Sequence, residues 1–272
     1  MKTFELNNKQ HIPAVGFGVF MIPNDGPTYD ATLAALKAGY RHIDTAAGYM
    51  NESDVGKAIK DSGIDRQDIF ITSKLWLQDY GYENAKKGIE NSLRLLGVDY
   101  IDLYLLHQPY GDYLGAWKAL EEAYEEGKLK SIGISNITVN LWNQFKDGMK
   151  VMPAVNQVEF NPFVQQRELR KVMDENHILL EAWYPLGHGN TDMLNDEVFV
   201  NLANKYQKTP VQIILRWHTQ MGFGLVPGSR SQEHIKDNAD IFDFTLTNED
   251  MAHIAQVNKH EPFYKVTPES LH

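Results

Sequence analysis

The sequence predicts an α/β fold, a (β/α)8 TIM barrel preceded by a short N-terminal β-hairpin, from three observations. Eight short apolar runs alternate with amphipathic stretches along the chain, which is the order of strands and helices in such a barrel. Most of these runs are continuously apolar, as expected for parallel strands that are buried on both faces. The length of 272 residues suits one barrel, so we expect a single domain over 1–272.

The strand signals begin with the hairpin. TFEL is followed by the turn formers Asn7 and Asn8 and then by HIPAVGFG, which we interpret as a hairpin leading into the first barrel strand. The other predicted strands are YRHIDT, IFITSKLW, YIDLYLLH, KLKSIGISN, PAVNQVE, HILLEAWYP and GLVPG.

Helical spacing of apolar residues separates these strands. Tyr29, Leu33 and Leu36 recur on one helix face, and similar patterns mark helices around 89–96 and 117–124. Further helices are predicted near 138–147, in QQRELRKVMDEN, near 196–206 and from SQEHIKDN.

Capping signals place three more helix starts. NESDVGKAIKDSG has an Asn start and a Gly stop, which predicts a short capped helix. Thr209 followed by Pro210 is a cap with proline at the first helical position. Thr247 and Asp250 have capping-box spacing for a final helix.

A doubly wound open sheet is the competing architecture. Such a sheet normally carries G-x-G-x-x-G after its first strand. Here the first strand ends with Gly16, Phe17 and Gly18 and has no third glycine, so we interpret the glycine pair as permitting a tight turn. The absent fingerprint favours the barrel.

Composition excludes several classes of partner. Hydrophobic residues make up 43% of the chain, ample for one core, and the net charge of -10 argues against nucleic acid or an anionic membrane as the main partner. With no cysteine there is no disulfide, thiolate chemistry or Cys-ligated metal site. No stretch resembles a signal peptide or a membrane span, so we expect a cytoplasmic protein without membrane contact. We also expect a monomer, although no pattern specifies the oligomeric state.

Four polar residues close or follow predicted strands at the end where barrel enzymes hold their chemistry. They are Asp44 and Tyr49 in HIDTAAGY, Lys74 in IFITSKLW and His107 in YIDLYLLHQP. A tyrosine is a poor acid at neutral pH, and a neighbouring ammonium favours its phenolate and lowers its pKa. A buried lysine needs a carboxylate to stay charged, which Asp44 can supply from the neighbouring strand. His107 can then hydrogen-bond a substrate oxygen, and the group of four predicts protonation of a carbonyl oxygen.

Each of these residues alone is more often structural than catalytic, and only the group of four favours a site. The other histidines show neither H-E-x-x-H nor H-x-H spacing, so no metal site is expected.

Three stretches resemble the signature regions of the aldo-keto reductases. They are GYRHIDTAAGYMNESDVG, SLRLLGVDYIDLYLLHQP, and VPGSRSQEHIKDN with DIFDFTL, and they occur in the family's order along nearly the whole chain. The chain resembles the bacterial branch that includes 2,5-diketo-gluconate reductases and general aldehyde or ketone reductases. The resemblance implies a (β/α)8 barrel that binds an extended nicotinamide dinucleotide without a Rossmann motif. It further implies NAD(P)H-dependent reduction of small aldehydes, α-ketoaldehydes, ketones or keto-sugars by hydride transfer, with Tyr49 as proton donor.

The resemblance also assigns roles residue by residue. The family's catalytic Asp, Tyr, Lys and His fall on Asp44, Tyr49, Lys74 and His107. The positions that match cofactor contacts are Ser135, Asn136 and Gln157 at the carboxamide, Trp183 on the nicotinamide ring, Leu186 and Gly187 beside the pyrophosphate, and Gly228, Ser229, Arg230, His234 and Asn238 around the adenosine. The positions expected at the substrate mouth are Phe20, Trp76, Gln108 and Tyr110. Two alternatives stay open, that Asn136 caps a helix and that Trp183 belongs to the core.

The sequence departs from the family pattern at the adenosine end. Most members carry Lys at the position of Gly228 and Arg at that of His234, and these cations hold the 2′-phosphate. Neither replacement supplies an arginine fork. Because Ser229, Ser231, Arg230 and a helix N-terminus can still meet a phosphate, we expect NADPH to be accepted and NADH to be unusually competent.

Two further points concern function. After the last predicted helix only EPFYKVTPESLH remains, and this short tail predicts an open pocket and broad carbonyl tolerance. The alternatives to a reductase are a non-catalytic binding subunit, which the presence of all four reactive residues disfavours, and a lyase or isomerase that uses Lys74 as a Schiff base.

Overall fold

The computed structural model describes residues 2–260 and residue 262. The predicted tail lies almost entirely outside these residues. Strands β1 (Thr3–Glu5) and β2 (His11–Pro13) pair antiparallel, with Phe4 opposite Ile12, which confirms the N-terminal hairpin.

Eight parallel strands follow the hairpin and form one curved sheet. They are β3 (Phe17–Gly18), β4 (His42–Asp44), β5 (Phe70–Leu75), β6 (Leu103–Leu106), β7 (Ile132–Ser135), β8 (Val155–Glu159), β9 (Leu179–Trp183) and β10 (Gly224–Leu225). Each strand pairs with the next along the chain. A parallel bridge between Val15 and Leu225 joins the two ends of the sheet. The predicted (β/α)8 barrel is confirmed.

The helices lie between and after the barrel strands. They are α1 (Pro27–Lys37), α2 (Glu52–Asp61), α3 (Tyr82–Leu96), α4 (Tyr113–Glu125), α5 (Val139–Phe145), α6 (Arg167–Glu175), α7 (Thr191–Leu194), α8 (Glu197–Tyr206), α9 (Pro210–Gln220), α10 (Gln232–Ala239) and α11 (Asn248–Gln256). The one-turn α7 was not predicted. The Thr209 and Thr247 caps are confirmed, and both complete capping boxes.

Two local predictions need correction. The inner face of α1 consists of Ala31, Ala35 and Leu36 with two threonines, whereas Tyr29 and Leu33 are only half-buried. The residue before α2, Asn51, makes no side-chain capping bond. Its buried amide instead bonds the Thr45 hydroxyl (2.7 Å) and the Val19 carbonyl (3.2 Å) and so ties together the loops at the top of the barrel.

The glycine pair at β3 also has a different role from the predicted one. Neither Gly16 nor Gly18 has a positive φ, so no tight turn requires them. A Cβ on Gly16 would lie 2.4 Å from the His42 ring, and one on Gly18 would lie 2.6 Å from the Val226 carbonyl oxygen. The two glycines therefore permit close packing where the barrel closes.

The core fills the space between the barrel and its helices. Trp117, Trp142 and Trp217 are fully buried there, and Phe160 stacks between Trp217 and Phe223. Within the described residues, no helix combines the length and apolar character that spanning a membrane requires. Because all barrel strands are parallel, their carboxyl ends meet at one end of the barrel, and polar side chains at or near the ends of β4, β5, β7 and β8 meet there.

Candidate active site

Lys74 lies at the centre of a hydrogen-bonded group at the carboxyl end of the barrel. Its side chain on β5 is fully buried, and its ammonium donates to Asp44 Oδ1 (2.6 Å) on β4 and to the Thr45 carbonyl (2.9 Å). It also donates to the Tyr49 hydroxyl at 3.4 Å. A short 3-10 turn, Ala47–Tyr49, presents this tyrosine just after β4. Because the tyrosine oxygen accepts from Lys74, its own proton is left for another acceptor.

The ion pair keeps the buried lysine charged. Burial works to lower the pKa of Lys74, but electrostatic interactions with Asp44 and Tyr49 and the hydrogen bond that Lys74 donates to Asp44 oppose it, so the pKa is raised above its usual value. An ammonium, and not a free amine, therefore faces the tyrosine.

The predicted direction of the pKa shift of Tyr49 was wrong. Burial raises the pKa of Tyr49 above its ordinary value, and although Lys74 acts to lower it, this opposition is not sufficient. The nearby Asp44 carboxylate also raises it. The ammonium thus limits the cost of forming a buried phenolate without reversing it, and the tyrosine remains protonated at neutral pH.

His107 follows β6 and stands beside the tyrosine. Its ring makes edge-to-face contacts with Tyr49 (5.5 Å between ring centroids) and Trp76 (4.9 Å). Burial, aided by the charge of Lys74, holds the pKa of His107 well below its usual value, so the imidazole is neutral. Within the described part of the chain, His107 Nδ1 has no hydrogen-bond partner. A neutral imidazole can donate to a carbonyl oxygen without competing for the role of acid.

Gln157 on β8 connects this group to a second buried acid. Its Nε2 donates to Asp44 Oδ2 and to Glu181 Oε2, both at 2.7 Å. Its backbone oxygen accepts from Ser135 Oγ at 2.8 Å.

Asn136 forms the other polar wall. It has a left-handed backbone conformation (φ 60), and its Nδ2 donates to the His107 carbonyl and to Gln108 Oε1, each at 3.2 Å. Its Oδ1 accepts from Trp183 Nε1 at 2.9 Å. The helix α5 is capped by Thr138 and not by Asn136, and Trp183 is half-exposed on the cavity, so neither of the two structural alternatives holds.

One cavity of about 810 Å³ joins these residues to the predicted adenosine end. Of the predicted site residues, it is lined by Phe20, Asp44, Tyr49, Trp76, His107, Gln108, Ser135, Asn136, Gln157, Trp183, Leu186, Gly228, Ser229, Arg230, His234 and Asn238. Lys74 lies behind Tyr49, whereas Gly187 and Tyr110 are outside the lining. The structure therefore gathers the polar groups for both ends of an extended dinucleotide around one cavity, and these residues fit such a cofactor.

Several lining residues were not predicted. They are Tyr184, Pro185, His188 and Gly189 in the loop after β9, and Glu233 and Asp237 on α10. The acidic pair could have been found from the sequence, because its members lie four positions apart on the helix that was already assigned to the cofactor. Glu181, which lies behind the cavity lining, also stands out in the sequence as the single charged residue inside the apolar run HILLEAWYP.

The predicted adenosine end is closely packed at Gly228, one of the positions that depart from the family pattern. A Cβ on Gly228 would lie 2.5 Å from the Gly18 carbonyl oxygen, so a lysine there requires a backbone shift. Ser231 caps α10 by accepting from the His234 N–H (3.4 Å), and Ser229 Oγ accepts from the Ser231 N–H (3.1 Å). These serines already satisfy part of the helix N-terminus.

Comparison with known proteins identifies the family of this chain. Residues 15–259 match the Aldo/keto reductase family. Glyoxal reductase of Bacillus subtilis (strain 168) is 45% identical over 260 residues, covering 95% of this chain and 94% of that protein. Methylglyoxal reductase DkgA of Escherichia coli (strain K12) is 38% identical over 258 residues, covering 94% and 93%.

A solved structure extends the comparison to a cofactor complex. The crystal structure of a Bombyx mori aldo-keto reductase in complex with NADP has a TM-score of 0.91 and 32% identity, and covers 97% of this chain and 95% of that one. The expected resemblance is confirmed, and this chain belongs to the aldo-keto reductase family.

Proposed function

We propose that this protein uses NADPH to reduce the carbonyl group of small aldehydes, α-ketoaldehydes and ketones to alcohols, with Tyr49 as the proton donor. The observation that carries the proposal is the Lys74 ammonium, bound to Asp44 and the Thr45 carbonyl and donating to the Tyr49 hydroxyl. When bound, the reduced nicotinamide supplies the hydride that adds to the carbonyl carbon.

Residues around the cavity orient the substrate, transfer the proton and hold the cofactor. His107 donates a hydrogen bond to the carbonyl oxygen and directs it to Tyr49, and Tyr49 transfers its proton to that oxygen as negative charge develops there. Lys74 stabilises the resulting phenolate, and Asp44 keeps Lys74 charged. Trp183, Asn136 and Gln157 hold the nicotinamide end.

Small dicarbonyls are the favoured substrate class. Two similar proteins are named as a glyoxal reductase and a methylglyoxal reductase. Phe20, Trp76 and Tyr49 form an aromatic wall beside His107, which suits a small uncharged substrate. Keto-sugars remain within the same reaction class.

Oxidation of NADPH tests this proposal. Purified protein with methylglyoxal or phenylglyoxal should lower the absorbance of the reduced cofactor, with one alcohol formed per NADPH consumed. A Schiff-base lyase would instead leave a borohydride-trapped adduct on Lys74. The charged state of Lys74 disfavours that reaction, because an ammonium is not nucleophilic. Substrate-dependent trapping without cofactor oxidation would overturn the proposal.

We also propose that NADH is a competent second cofactor. The adenosine end offers the cation of Arg230 but also the carboxylates of Glu233 and Asp237. A 2′-phosphate meets repulsion from both carboxylates, whereas the ribose hydroxyl of NADH does not. The ratio of kcat/KM for the two cofactors measures this balance.

A further inference from the structure

Glu181 is a buried acid for which the reaction described above has no role. It lies on β9 with no exposed surface, beside Gln157 of β8 on one side and Gly224 of β10 on the other. A Cβ on Gly224 would lie 3.3 Å from Glu181 Cγ and Oε1, closer than an ordinary contact. The absence of a side chain at position 224 therefore makes room for the carboxyl group.

The charges around Glu181 do not balance if it is ionised. Both Glu181 and Asp44 accept a hydrogen bond from the same Gln157 nitrogen, and Lys74 pairs directly with Asp44. Strand β4 also brings His42, and β10 brings no charge. Two carboxylates would thus share one ammonium in a buried site, which is unfavourable. Burial and the charge of Asp44 accordingly raise the pKa of Glu181 to about 8.

A neutral acceptor faces the expected position of the proton. Glu181 Oε1 and His42 Nδ1 are 3.8 Å apart, and neither has a hydrogen-bond partner among the residues that the structure describes. The other imidazole nitrogen, His42 Nε2, lies 2.9 Å from Thr72 Oγ1. Burial, together with Lys74, lowers the pKa of His42 to about 3, so the ring is neutral. At 3.8 Å the two atoms are not hydrogen-bonded, and in the tautomer that donates to Thr72 through Nε2–H the Nδ1 lone pair is on the side of Glu181 Oε1.

We propose that Glu181 is a positioning residue for the reductase: in its neutral, protonated form it fixes the amide of Gln157, and through it the carboxylate that pairs with Lys74. The two N–H groups of the Gln157 amide are both engaged, one by Asp44 and one by Glu181. This leaves Oε1 of Gln157, a residue of the cavity wall, as the atom that accepts from the carboxamide of the nicotinamide. The inference rests on the proposed function for its kinetic consequence only.

Ionisation of Glu181 should weaken catalysis. A second carboxylate near Lys74 raises the pKa of that lysine further and leaves an unpaired negative charge close to a tyrosine that must itself become anionic. The rate of carbonyl reduction should therefore fall as pH rises through about 8, the pKa of Glu181.

The test compares Glu181→Gln with Glu181→Met. Glutamine reproduces the protonated acid, because its oxygen accepts from Gln157 and its N–H donates towards His42. Methionine fills the space without either bond. We expect Glu181→Gln to keep most of the activity at pH 7 and to lose the fall in rate near pH 8. We expect Glu181→Met to lose about 10- to 100-fold in kcat, as for a misplaced reacting group.

A spectroscopic measurement on the cofactor-free protein separates this inference from the proposed function. Infrared difference spectra, wild type minus Glu181→Gln, should show the carbonyl stretch of a protonated carboxyl group at pH 6 that disappears above pH 8. This readout needs no turnover, so it stands even if no carbonyl substrate is reduced. Absence of the band at pH 6, or an unchanged pH profile in an active Glu181→Gln variant, would overturn the inference. The glutamine variant alone decides the case if the methionine variant does not fold.

Discussion

The ion pair between Asp44 and Lys74 gives the most quantitative prediction. Both residues are buried, at 3% and 0% exposure, and Lys74 Nζ lies 2.6 Å from Asp44 Oδ1. Removing one partner of such a pair costs about 3–5 kcal/mol of unfolding free energy, because the other charge is left buried without a counterion. Asp44→Asn and Lys74→Met should therefore each destabilise the cofactor-free protein strongly.

The double variant should lose far less than the sum of the two losses. Asp44→Asn with Lys74→Met removes both charges together, and we expect a coupling of about 2–3 kcal/mol between the two positions. Urea unfolding at pH 7 measures the cycle. The exposed pair Lys9 and Glu5, 2.8 Å apart, is the matched control, and its cycle should give less than about 1 kcal/mol.

Glu181 is electrostatically coupled to the Asp44–Lys74 pair. The charge of Asp44 is one reason why the pKa of Glu181 is raised, so Asp44→Asn should let Glu181 ionise and serve as a substitute counterion for Lys74. Adding Glu181→Gln should then destabilise the Asp44→Asn variant more than it does the wild type. Additive losses in the Asp44–Lys74 cycle, or no such difference for Glu181→Gln, would refute the electrostatic account of the site.

Three further predictions concern cofactor choice, thermal stability and pH. His234→Arg should raise the NADPH to NADH ratio of kcat/KM by about tenfold, through one charged hydrogen bond to the 2′-phosphate, and an unchanged ratio would show that position 234 does not reach it. Gly228→Lys should lower thermal stability, because its Cβ meets the Gly18 carbonyl; a stable variant would contradict this packing. The pKa of Glu181 is about 8 in the folded protein, against 4.5 for the ordinary group. Between these pH values only the folded state holds the proton, so the free energy of unfolding falls as pH rises from 4.5 to about 8. Glu181→Gln cannot lose this proton, so its free energy of unfolding relative to wild type should rise over that interval by up to about 5 kcal/mol. A difference in unfolding free energy that does not change with pH would contradict a protonated Glu181.

The meeting of the four candidate residues was predictable because the topology requires it. Parallel strands bring their carboxyl ends together, so Asp44, Lys74 and His107 at three strand ends had to meet. Glu181 stood out as a single charge in an apolar run, but a strand pattern does not show which side chains it contacts, so its place beside Gln157 was not predicted. The direction of the pKa of Tyr49 depends on a competition between burial and Lys74 that only the three-dimensional surroundings decide.

Long-range contacts explain why other features could not be predicted from the sequence. Gly228 is a glycine because the Gly18 carbonyl lies against it, a contact between residues at opposite ends of the chain that no local pattern reveals. The inner face of α1 was misjudged because apolar spacing favoured Tyr29 and Leu33, whereas small residues pack closest to the barrel. Local signals for caps, in contrast, held at Thr209 and Thr247, because those bonds form within one helical turn.

The proton-donor role of Tyr49 is tested most directly by Tyr49→Phe. This change removes the hydroxyl that accepts from Lys74 and leaves the ring contacts with Phe20 and His107 in place. We predict a fall in kcat for methylglyoxal reduction of about 10²- to 10⁴-fold, with the affinity for NADPH nearly unchanged. Near-normal turnover by the purified variant would contradict the account, because another group would then have to protonate the carbonyl oxygen.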